Sequence, residues 1–131
     1  MWSQDHVAFR VSDLDAALEF YVGKLGMKLL FRRTDEEHHE TFAFLELNGG
    51  NLELLQSLDE HNRPWAYTPP PLTPPYCPHL ALRTDDLDLI LDRLVSNGIP
   101  VVKGPLEISH RVRWLYVADP DHNVIEFVQW R

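Results

Sequence analysis

The chain states one pattern twice, and that repetition confines it to an architecture built from two like halves. His6 opens a segment that reaches Glu53, and His79 opens a second that reaches Glu126. Both separations are 47 residues (53 − 6 and 126 − 79), and the offset between them is 73 (79 − 6). At that offset His6-Val-Ala-Phe-Arg10 falls on His79-Leu-Ala-Leu-Arg83, and Asp13-Leu-Asp15 on Asp86-Leu-Asp88. Leu52-Glu53-Leu54-Leu55-Gln56 falls on Ile125-Glu126-Phe127-Val128-Gln129. Histidine and glutamate are metal-ligand types, and a duplicated module related by a pseudo-two-fold brings two such pairs toward one centre. A four-ligand metal centre is therefore the first hypothesis.

Each half reads as β-α-β-β-β. Val7 to Val11 suits a strand; Asp13 and Asp15 supply helix-start chemistry, and Leu14, Ala17, Leu18, Tyr21 and Val22 recur at helical spacing. Met27 to Phe31 reads as a second strand, Arg32 to Glu40 as a charged hairpin tip, and Thr41 to Leu47 as a third strand. Asn48-Gly49-Gly50 reads as a turn and Asn51 to Gln56 as a fourth strand. The second half repeats this, with a strand at Leu80 to Thr84, a helix at Asp86 to Ser96 and an extended Pro100 to Lys103. Strands at Val112 to Ala118 and Val124 to Gln129 close it. The expected fold class is α+β, with two tandem βαβββ modules. The whole of 1–131 is expected as one domain: module one 5–57, a proline-rich linker 58–78, and module two 79–131. Pro69-Pro70-Pro71 and Pro74-Pro75 make that linker semi-rigid and extended.

Composition removes several function classes. Twelve Lys and Arg against 20 Asp and Glu leave a formal net charge of −8, which opposes binding to nucleic acid or an anionic membrane surface. No apolar run approaches the ~20 residues of a membrane-spanning helix. Cys77 is the only cysteine, so no intrachain disulfide forms and a reducing compartment is expected. Met1 to Gln4 shows no charged segment followed by an apolar one, so the expected location is cytoplasmic.

The strongest chemical signal is a misfit. Glu53 lies between Leu52 and Leu54, and Glu126 between Ile125 and Phe127, so each carboxylate interrupts an apolar strand. Burying a charge costs several kcal/mol by rough estimate unless something compensates it. A solvated sheet face explains either Glu alone, and a satisfied strand histidine explains either His alone. The shared register of all four asks for a common cause, and a divalent cation is one. Two imidazoles and two carboxylates make a mixed N/O shell that suits Ni, Co, Mn, Fe or Zn ions without choosing among them.

With these residues in view, the chain resembles the vicinal oxygen chelate superfamily of glyoxalase I, bleomycin resistance proteins and extradiol dioxygenases. Val11-Ser-Asp-Leu14, Phe20-Tyr21 and Leu25-Gly-Met-Lys-Leu-Leu30 are especially similar to bacterial glyoxalase I, and Asp119-Pro-Asp121 before Val124-Ile-Glu126 fits the family's closing hairpin. The resemblance covers nearly the whole chain except the linker, and it implies that the two βαβββ modules form a cup-shaped mixed sheet with the helices outside. It implies His6, Glu53, His79 and Glu126 as ligands of one divalent metal ion, with Ni or Co favoured and Zn, Mn or Fe as alternatives. It implies a lyase or isomerase that abstracts a proton next to a metal-bound carbonyl, with Glu126 as base and Glu53 as ligand and partner in reprotonation. It further implies a small-molecule substrate, such as a thiol adduct, and a homodimer. An acyl-CoA epimerase of the same superfamily, or a non-catalytic small-molecule binding or resistance protein, is the alternative.

Arg10 and Arg83 stand four residues after each His, on the same strand face, and read as anchors for an anionic substrate group. One departure from the bacterial glyoxalase I pattern follows Glu53. Gln56-Ser57-Leu58 stands where that family places an aromatic residue and an Asn that help bind glutathione. Glu36-Glu37-His38-His39-Glu40 reads as a solvated tip, and Cys77 as a thiol with no base beside it. His122 occupies a turn position that asks for a positive φ. Among the aromatic residues Phe42, Phe44, Trp65, Trp114 and Tyr116 some are expected to line a pocket, without the sequence showing which, and most are expected as core.

Overall fold

A computed structural model describes residues 1–131 and divides them into two compact units, Met1–Pro70 and Pro71–Arg131. The boundary falls inside the proline-rich segment.

In the first unit the elements run β1 (His6–Arg10), α1 (Leu14–Leu18) extended by a π-helical turn (Glu19–Lys24), β2 (Leu29–Asp35), β3 (Glu40–Leu47) and β4 (Gly50–Ser57). The sheet order is β1-β4-β3-β2; β1 lies parallel to β4 and the other pairings are antiparallel. The second unit repeats this with β5 (His79–Arg83), α2 (Leu87–Ser96), β6 (Lys103–Ile108), β7 (Val112–Ala118) and β8 (Val124–Trp130), in the order β5-β8-β7-β6. The expected α+β class with two βαβββ modules is what the chain adopts.

Strand alternation separates each sheet into two chemistries. On β4, Leu52 and Leu54 are fully buried, while Glu53 and Leu55, which alternate with them, are half-buried on the opposite face. Leu14, Ala17 and Tyr21 of the first helical segment are buried with them. In the second unit Leu87 and Leu94 of α2 are buried, as are Leu115, Val117 and Ile125 of the strands. Each helix starts on an aspartate. Asp13 accepts from the N–H groups of Asp15 and Ala16, and Asp86 from that of Leu89.

The repeated glutamines complete this entry. Gln56 Oε1 accepts from Leu14 N–H at 2.8 Å, and Gln129 Oε1 from Leu87 N–H at 2.9 Å. A side chain of each closing strand thus satisfies an N–H that the helix start leaves without an intrahelical partner.

Several boundaries differ from the sequence expectation. β2 starts at Leu29 and continues through Arg32, Arg33 and Thr34 to Asp35, so the charged hairpin tip contracts to residues 36–39. Charge does not prevent pairing there because β2 is an edge strand whose side chains reach solvent. Arg32 pairs with Asp15, and the Thr34 and Thr41 hydroxyls are 3.0 Å apart. β6 is also an edge strand, and it covers Lys103–Ile108 where Pro100 to Lys103 was expected. The start of the expected linker is folded as well: Leu58 bridges Pro64. Asp59 closes the intervening turn by accepting from the N–H groups of Arg63 and His61. The bond from Arg63, with that from His61, holds the Asp59 carboxyl below its ordinary range against the opposing effect of desolvation. His122 adopts φ 63, as its turn position requires. No helix is long and apolar enough to cross a membrane.

Candidate metal centre

β1 and β4 run side by side and in parallel, which places His6 and Glu53 on one face. His6 Nε2 lies 3.5 Å from Glu53 Oε1. In the second unit β5 and β8 do the same, and His79 Nε2 lies 3.8 Å from Glu126 Oε1. The two carboxylate side chains are only 14% and 15% exposed, so neither is a freely solvated surface acid. The four expected ligands therefore come together two by two, each pair within its own unit. No group of three or more His, Cys, Asp or Glu side chains is gathered that could hold a metal ion.

The imidazoles are oriented from behind. His6 Nδ1 lies 2.7 Å from the Asp5 carboxylate, and His79 Nδ1 lies 3.0 Å from the Tyr76 carbonyl oxygen. An oxygen of either kind only accepts, so each Nδ1 carries the proton that it donates. In the neutral imidazole, Nε2 then presents a lone pair toward an acceptor carboxylate, and two acceptors facing each other need a proton or a cation between them. Donors at roughly 2.0–2.2 Å from a shared ion stand no more than about 4.2 Å apart, and both pairs fall inside that span. The donor set thus fits a divalent ion.

The face that carries these pairs is aromatic. Phe44 stands across from Glu53 and Phe42 across from Leu55, with Phe31 stacked on Phe44 at 5.0 Å between centroids. Tyr116 stands across from Glu126 and Trp114 across from Val128. None of these belongs to the helix-side core, contrary to the expectation, because their odd or even positions place them with the carboxylates. Trp65 is 58% exposed. On the first sheet, Glu40 and Ser57 continue the same face and line a cavity of about 540 Å³ with Leu58, Glu60 and Trp65. His38 and His39 of the dismissed charged run also line it; they are tied to Asp35 and Asn62 at 2.8 and 2.7 Å.

Arg10 is exposed, and its guanidinium lies 4.3 Å from the Tyr67 ring centroid, a cation–π placement. Arg83 is exposed on β5. Cys77 is exposed, with Sγ 3.9 Å from His79 Nδ1, the nitrogen whose proton faces the Tyr76 carbonyl oxygen, so no free base meets the thiol there. From sequence the Tyr116 phenol stands only among the five candidate aromatics, with no role of its own. Burial, and then the neighbouring Glu126 charge, push it above the ordinary tyrosine range, while the Trp114 indole acts in the opposite direction.

The chain is similar in sequence and in fold to several known proteins. A probable lactoylglutathione lyase of Vibrio cholerae is 30% identical over 131 residues, spanning 95% of this chain and 88% of that protein. The trypanothione-dependent glyoxalase I of Leishmania major superposes with a TM-score of 0.69 at 25% identity, over 95% of this chain and 84% of that one. TnmS3, an antibiotic binding protein from a Streptomyces species, superposes with a TM-score of 0.74 at 26% identity, over 100% and 98% of the two chains. Residues 3–127 match the description of one family over nearly the whole chain, and the protein belongs to the Glyoxalase/Bleomycin resistance protein/Dioxygenase superfamily.

Proposed function

We propose that this protein is a glyoxalase I-like lyase or isomerase in which His6, Glu53, His79 and Glu126 together serve one divalent ion, Ni or Co by preference. The observation that carries the reading is the repeated pair: in each unit an Nδ1-anchored imidazole aims Nε2 at a part-buried carboxylate. The likeness to lactoylglutathione lyases supports the same activity.

When bound, the ion supplies Lewis acidity that stabilises negative charge developing on a substrate oxygen. The chain's own groups do the rest. Glu126 removes the proton from the carbon next to the carbonyl, and Glu53 returns it to the adjacent carbon, so the substrate is isomerised without net gain or loss of atoms. The Phe31, Phe42 and Phe44 rings line the approach and keep water from the carboxylate. Arg10, pre-placed over Tyr67, anchors an anionic group of a thiol adduct.

The test is elemental analysis of the purified protein, followed by assay of the methylglyoxal hemithioacetals of glutathione and other cellular thiols after reloading with nickel or cobalt. Turnover restored by metal supports the reading. No turnover with any thiol sinks it. The likeness to an antibiotic binding protein, together with the aromatic face, supports a second reading as a small-molecule binder without chemistry. Tight ligand binding by a metal-free, inactive protein would favour that one.

A further inference from the structure

Both half-sites set an aromatic ring across from the glutamate, and the two rings differ by one hydroxyl. Phe44 stands across from Glu53 with its ring edge-on to His6, at 5.1 Å between centroids and 68° between planes. Tyr116 stands across from Glu126 and edge-on to His79, at 5.4 Å and 62°. The rings are equivalent; the hydroxyl exists only in the second unit. Beside it, two residues earlier on the same strand face, the Trp114 indole N–H is buried without a hydrogen-bond partner. A buried donor left unpaired asks for an explanation, and one answer is an acceptor that tightens onto it when the site is at work.

We propose that Tyr116 is a positioning residue for Glu126: the Trp114 N–H donates to the Tyr116 oxygen, and the Tyr116 O–H donates to one oxygen of the Glu126 carboxylate. This rests on the reading of Glu126 as the base. Holding one carboxylate oxygen leaves the other oriented for the substrate proton, and it removes the rotational freedom that a carboxylate beside Phe44 retains. The hydroxyl therefore breaks the pseudo-symmetry of the site and selects which of two matching glutamates does the chemistry.

Two readouts test this. The first needs no metal. In 15N-labelled protein the Trp114 indole N–H resonance is followed by NMR in wild type, Tyr116→Phe, Glu126→Gln and the double variant. Tyr116→Phe should move the resonance. Glu126→Gln should move it in the wild-type background and not in the Tyr116→Phe background, because the coupling passes through the hydroxyl. Equal responses to Glu126→Gln in both backgrounds would overturn the proposal. The second uses metal-loaded protein. Tyr116→Phe should lower kcat about tenfold with KM and metal content unchanged. Full turnover by Tyr116→Phe overturns this inference while leaving Glu126 as base. An inactive wild type with the NMR coupling intact instead removes the proposed reaction and leaves the positioning contact standing.

Discussion

Glu126 and Glu53 are the same residue in the same place twice, and the difference between their roles is testable one side chain at a time. Glu126→Gln keeps the volume and an oxygen donor but removes the base. It should cut kcat by about 10²–10⁴ while the circular dichroism spectrum and melting curve stay near wild type. Glu53→Gln should weaken metal retention at least as much as it slows turnover, read by elemental analysis after dialysis. Gln56 has a purely structural task by contrast. It is 7% exposed and satisfies the Leu14 N–H at the entrance to α1. Gln56→Leu buries that N–H without an acceptor and should cost about 1–3 kcal/mol in urea denaturation, with no effect on metal stoichiometry. These residues were legible in sequence only as a repeat. A glutamine that matches another glutamine looks the same whether it binds a ligand or holds a helix, and only the hydrogen bond separates the two.

Among the elements, β6 is the most demanding. Gly104 has φ +103, and a Cβ there would lie 2.8 Å from the Trp114 carbonyl oxygen and 3.0 Å from the Leu115 Cα. Gly104→Ala should therefore destabilise by about 1–3 kcal/mol or more, since strain and overpacking act together. Gly26→Ala, also at positive φ but with nothing within 4 Å, should cost less in the same measurement. The strands explain how far the sequence could be read. Period-two alternation found the two His–Glu pairs and the two modules, because one buried face per sheet leaves a strong pattern. It did not match Tyr116 with Phe44 because the two hairpins differ by one residue. Phe44 precedes its facing Glu by 9 residues (53 − 44), while Tyr116 precedes its own by 10 (126 − 116). At the 73-residue offset Phe44 falls on Val117, which is buried on the other face. Edge strands were misplaced for a related reason: Arg32 to Asp35 pair through the backbone while their side chains look like loop.

For the whole molecule, the question is whether two pairs make one centre. If they do, His6→Ala and His79→Ala should each abolish retention of the ion entirely, although the substituted residues lie in different units. Independent pairs would each lose only their own share. A bound ion should also raise the melting temperature through mass action, by the equivalent of about 2.7 kcal/mol at a hundredfold excess over Kd. Chelator should reverse the gain in wild type and do nothing in either histidine variant. Neither outcome could be read from sequence, because a repeat fixes the likeness of two units and carries no information on affinity. Cys77 offers a way to watch the second half-site directly. It is the chain's one thiol, exposed and two residues from His79. A nitroxide attached there would need no engineered cysteine, and a paramagnetic cobalt or nickel ion arriving beside His79 would broaden its spin-resonance lines, turning occupancy of the site into a spectroscopic signal.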